Sequence, residues 1–183
     1  MITFSCKNIG ISLTFGFFFI LSVSSLSGGA ASASLLFCAV HELSHLAAMA
    51  VFGVFPEEIK FYGAGVCISS GGVSELSRPK RLTVYLSGPL SNLILAAALS
   101  GEASLINLSL ALFNLLPVEY FDGGKLLALF LGEKSRALRV ISFGFSALAA
   151  ALVFAAAVYA GWAGLGSSAV SLGFILLSRI LDG

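Results

Sequence analysis

The stretch Leu35–Phe52, LLFCAVHELSHLAAMAVF, reads as an apolar helix that carries three polar side chains in its middle: His41, Glu42 and His45. The chain has only two histidines, and both fall in this window. Residues four apart on a helix lie on the same face, one turn above the other, so the two imidazoles stack while Glu42 is rotated by roughly 100°. The HExxH spacing lets two neutral imidazoles grip one zinc ion and leaves the glutamate beside them to take a proton from water that the metal activates.

The rest of the chain says what surrounds that helix. Of 183 residues, 58% are hydrophobic and 10% charged, with a mean hydropathy of +1.02. A soluble domain carries about 25% charged residues, so the expected solvent is a bilayer. An ionisable group near the bilayer centre costs at least ~2.5–3.5 kcal/mol and so has a job or a partner. A spanning helix needs roughly 20 apolar residues, and apolar runs near residues 9–27, 31–53, 82–100, 103–117, 139–160 and 165–181 predict about six transmembrane helices. Pro117 ends the fourth. The segment 56–80 differs: its strand-like alternation, broken by Gly63, Gly65, Gly71 and Gly72, predicts a small β-hairpin between the second and third spans. The expected fold class is therefore an all-α integral membrane protein with one hairpin, a single polytopic domain over 1–183.

Charge sets the orientation. Lys and Arg accumulate in short cytoplasmic loops. With six spans and both termini inside, all ten basic residues, from Lys7 to Arg179, fall on one side, and the opposite loops hold only Glu102. An odd number of spans spoils this separation. The N-terminal apolar run is longer than a signal peptide's 7–15 residues and is read as a retained span. The basic residues form no patch that would suit a nucleic acid, and Cys6, Cys38 and Cys67 offer neither an even set nor a CxxC pair.

Two histidines do not complete a catalytic zinc site, which takes three protein ligands and keeps one position for water. The candidates in apolar territory are Asp122, Glu119 and Cys38. At 1.5 Å per residue, His45 lies ~21 Å along the second span from its outer end. The fourth span enters from the same side and, past Pro117, brings Asp122 to a similar depth, so Asp122 is the expected third ligand.

HELSH at 41–45, SGPLSN at 87–92 and NLLPVEYFDGG at 114–124 resemble, in order and spacing, the site-2 protease family of intramembrane zinc metalloproteases (peptidase M50). The likeness is greatest to the compact six-span bacterial branch of the stage IV sporulation protease FB type, and it covers a catalytic core of about 31–125. The resemblance implies one Zn2+ per chain on His41, His45 and Asp122, with Glu42 as the catalytic base. Asn114 in the same motif implies either a contact to substrate backbone or an oxyanion, or a helix–helix hydrogen bond. Gly88, Pro89 and Asn92, with Pro117 and Gly123, are structural motif positions. Where that branch has a second proline before the aspartate this chain has Tyr120, beside Glu119, which alters the substrate-facing loop. No room remains for a PDZ-like insertion or a CBS tail.

The expected activity is hydrolysis of a peptide bond in a membrane-anchored or membrane-associated regulatory pro-protein, such as a pro-sigma or anti-sigma factor, near the cytoplasmic side of a bacterial cell membrane. A membrane regulatory partner is expected, and nucleic acid is not. A zinc-binding membrane scaffold would keep the ligands without needing Glu42. A metal or proton transporter would need an ion path, for which spans one, five and six supply no ionisable groups in their middles.

Overall fold

Two short strands open the chain in the computed structural model, which describes residues 2–6, 9–13, 29–62, 65–119 and 121–162. Ile2–Cys6 (β1) and Ile9–Leu13 (β2) alternate apolar residues with small polar ones or glycine, the period of a strand with two unlike faces. They pair antiparallel, and β2 runs parallel to Glu58–Tyr62 (β3), which pairs antiparallel with Gly65–Ser69 (β4). The result is a four-stranded sheet in the order β1-β2-β3-β4. Parallel neighbours need a long crossover, and the helix Gly29–Val51 (α1) lies within it.

The sheet corrects the expectation of an otherwise all-helical chain. The hairpin expected between 56 and 80 is β3–β4, but residues 9–13, read as the start of the first span, are strand. Backbone pairing with β3 outweighs the apolar run that continues downstream. Residues 14–27 of that run, the sixth run at 165–181, and Tyr120 lie outside the described residues.

After a short helix, Gly71–Glu75 (α2), come Arg78–Ala98 (α3), Gly101–Asn114 (α4), Asp122–Leu131 (α5) and Arg136–Trp162 (α6). Helices α1, α3, α4 and α6 overlie the apolar runs read at 31–53, 82–100, 103–117 and 139–160. Pro79 sits in the first turn of α3, where its missing N–H is harmless. Pro89 lies in the helix interior and deprives the Tyr85 carbonyl of its usual helical donor. Gly101, at φ 62°, makes the tight reversal into α4.

Helix α3 is the hub, packed against α1, α4 and α5. Near the sheet its neighbours are apolar: Met49, Val73 and Val84 are buried with Phe52, Ile68 and Tyr85 around them. Further along, polarity inverts. His41, His45, Asn92, Asn107, Asn114, Asp122 and Ser142 are buried, while Leu36, Leu43, Ile94, Leu105, Phe130 and Phe143 are exposed, the last by 77%. Charged and amide residues are seldom fully buried in water-soluble proteins unless paired. Among the described residues one helical stretch, Ala33–Val51, is long and apolar enough to cross a membrane. Beside the apolar cluster around Met49, Arg81 donates to Glu133 at 2.6 Å and the Lys80 ammonium lies 5.5 Å from the Phe52 ring centre.

Candidate metal centre

The four-residue spacing on α1 puts the His41 and His45 rings edge to face, with centroids 4.9 Å apart. Asp122 reaches them from the first turn of α5, where a carboxylate also suits the positive end of the helix dipole. Its Oδ2 lies 3.0 Å from Nε2 of both histidines, and the two Nε2 atoms are 3.2 Å apart. All three side chains are buried. Among the described residues this is the one group of His, Cys, Asp or Glu side chains whose ligand atoms converge within 4.8 Å.

The other polar atoms of these residues are already engaged. His41 Nδ1 lies 2.6 Å from Asn92 Oδ1, and His45 Nδ1 lies 2.8 Å from the Val84 carbonyl and 3.2 Å from Ser87 Oγ. A carbonyl oxygen can only accept, so each imidazole carries a proton on Nδ1 and, when neutral, turns a lone pair inward at Nε2. Lys125 Nζ donates to Asp122 Oδ1 at 3.1 Å, leaving Oδ2 for the centre. With both rings neutral, two nitrogen lone pairs and a carboxylate oxygen point at one another, an arrangement that a cation between them relieves. Zinc bonds of 2.0–2.1 Å in a tetrahedron place donors about 3.3 Å apart. The donor set and its spacing fit zinc.

Main chain makes room for the cluster. A Cβ at Gly88 on α3 would overlap His45 Nε2 and lie 2.6 Å from His41 Nε2, so that wall of the site admits no side chain. On α5, a Cβ at Gly123 would overlap the Leu115 carbonyl oxygen and one at Gly124 that of Val118. The pair of glycines lets α5 start hard against the loop after α4, and so presents Asp122. Residues 100–158 match the family model of peptidase family M50.

The M50 match includes Asp122 and Asn114 and stops short of the histidines. Among solved structures the fold is similar to the site-2 protease from Methanocaldococcus jannaschii, with a TM-score of 0.63 and 19% identity, covering 99% of this chain and 94% of that one. No curated protein matches the sequence.

The structure brings His41, His45 and Asp122 together. Glu42 is half-buried next to His41 on α1. Asn114 is buried, and one of its amide N–H groups donates to the Leu110 carbonyl of its own helix at 3.0 Å. Glu119 is exposed, and its backbone N–H donates to Ser142 Oγ at 2.8 Å. Gly88 and Asn92, expected as packing positions, lie directly against the histidine rings. Sequence reasoning passed over Asn107, Ser87 and the pairing of Lys125 with Asp122. The signal for Asn107 was present: it is an amide in the apolar run SLINLSLALFN.

Proposed function

We propose that the chain is an intramembrane zinc metalloprotease of the site-2 type. The observation that carries this reading is the convergence of three buried ligand atoms beside Glu42, on helices whose outer faces are apolar. The M50 match over 100–158 and the fold shared with a site-2 protease support it. Zinc, when bound, supplies Lewis acidity that eases loss of a water proton and polarises the carbonyl under attack. Glu42 receives that proton and returns it to the leaving amine. His41, His45 and Asp122 hold the ion, Lys125 steadies Asp122, and the surrounding helices keep bulk water out.

In this reading the exposed leucines and phenylalanines face lipid, since apolar patches of that extent mark membrane or partner contact. The chain crosses the bilayer about six times with both termini in the cytoplasm. Its substrate is a membrane-anchored or membrane-associated regulatory pro-protein, of the pro-sigma or anti-sigma kind, cut near the cytoplasmic side, as in the sporulation branch. The detergent-purified protein is expected to hold one zinc per chain, and His45→Ala and Asp122→Ala each to lose it. A well-folded, metal-free wild type removes the chemistry and leaves the scaffold reading.

A helical substrate hides its peptide bonds, so the scissile stretch must be held extended. Among the described residues β3 is paired on both sides and the sheet ends at β1 and β4; of these two edges β4 packs on α1, the helix that carries the histidines, so an added strand would dock on β4. Successive N–H groups of a strand point in opposite directions, so one of Val66 and Cys67 donates outward. Proline at the outward position is expected to lower substrate cleavage with zinc content unchanged. At the inward one it removes a ladder bond and lowers stability. Full cleavage with both prolines counts against docking on β4.

A further inference from the structure

We propose that Asn107, acting through Asn92, is a positioning residue for the metal: it locks the His41 ring with its proton on Nδ1, so that Nε2 meets the ion as a lone pair. The inference rests on the metal-site reading above.

The lock is read from its far end. Asn107 Nδ2 donates to the Ala103 backbone carbonyl at 2.8 Å, and that oxygen can only accept. The orientation of an amide is otherwise ambiguous; here the carbonyl fixes it. Asn107 therefore turns Oδ1 toward Asn92 and accepts from its Nδ2 at 2.9 Å. Asn92, oriented in turn, presents Oδ1 to His41 Nδ1 at 2.6 Å. One direction of hydrogen bonding runs from α1 through α3 to α4, and each step determines the next. Both amides are 0% exposed, so no bulk water offers an alternative partner.

His41 needs this restraint more than His45 does. Its Nε2 lies 3.0 Å from Asp122 Oδ2, a carboxylate that attracts a proton to the very nitrogen the metal requires. His45 faces the same oxygen, but its Nδ1 is anchored on the Val84 backbone carbonyl, which no side-chain change removes. For His41 the anchor is two side chains deep, and its far end, Asn107, touches neither ligand atom nor metal. A plain helix–helix hydrogen bond between Asn92 and Asn107 is the structural alternative, and it predicts a change in stability alone.

The two-histidine composition makes the test clean. Full-length protein in detergent, labelled with 15N-histidine and loaded with zinc, has one Nδ1–H signal from each ring; chelator competition on the same samples gives zinc affinity. Asn107→Leu and Asn107→Ala are expected to shift the His41 Nδ1–H signal, leave that of His45 in place, and weaken zinc binding roughly tenfold, the lower end of the 10–100-fold range for outer-shell partners. Asn107→Asp, kept protonated by its dry surroundings, still donates to Ala103 and keeps an oxygen facing Asn92, and is expected to restore both readouts. Unchanged affinity and an unchanged His41 signal in the Leu or Ala variant, whichever retains the His45 signal of a folded site, overturn the proposal. If the wild type binds no zinc, the metal reading falls separately, and comparing the His41 Nδ1–H signal of wild type and Asn107→Ala without metal still decides whether the lock exists.

Discussion

Glu42→Gln is expected to abolish peptide-bond hydrolysis while one zinc per chain remains bound. The substitution keeps the shape and half-buried position of the side chain on α1 but removes the carboxylate that the proposed mechanism uses as its base. General-base assistance contributes typically ~10²–10⁴-fold, so cleavage of a membrane-anchored reporter is expected to fall by at least about two orders of magnitude. The proposed ligands His41, His45 and Asp122 are untouched, so metal analysis of the same preparation is expected to match wild type. A variant that cleaves at the wild-type rate assigns the base elsewhere, and indifference of every cellular phenotype to the change favours a scaffold.

Gly88→Ala is expected to cost the protein its zinc although it adds one methyl group. The new carbon would overlap His45 Nε2 and crowd His41 Nε2 at 2.6 Å. Overpacking a filled site costs typically ~1–3 kcal/mol, and the relief available here is to push the imidazoles away from Asp122. Metal analysis of the purified variant, with hydrolysis measured alongside, checks this. Gly144→Ala serves as the contrast. Nothing lies within 4 Å of a Cβ there, and the position is inside α6, so alanine is expected to be neutral or to stabilise by up to ~1 kcal/mol through helix propensity. Retained zinc in Gly88→Ala means that α3 moves aside more easily than its packing implies.

How much of this was legible in the sequence depends on the kind of signal. His41 and His45 declare themselves by a local spacing that helix geometry converts directly into one face. Asp122 required a depth argument, because the contact spans 77 residues from His45, yet the scarcity of acidic groups in apolar territory left few choices. The N-terminal strands were missed for a different reason. ITFSC and IGISL alternate as strands do, but the apolar run that continues beyond them dominates any window long enough to detect a span. The parallel pairing with β3 is invisible to local pattern. The amide lock was out of reach because an asparagine in an apolar helix reads equally well as packing. Its meaning comes only from Ala103, which fixes its orientation, and from Asn92 across the helix interface.

The wall that α3 presents to the ligands is main chain at Gly88, and this governs where selectivity can be inscribed. A surface without side chains offers no vocabulary for telling one substrate residue from another, and at this position it cannot acquire any without destroying the centre it borders. In the proposed protease, discrimination among substrates is therefore left to other surfaces: the loop between Asn114 and Asp122, the helix face around Glu42, and the sheet edge. On that reading chemistry and discrimination are separated in space, so that one could drift while the other stands still.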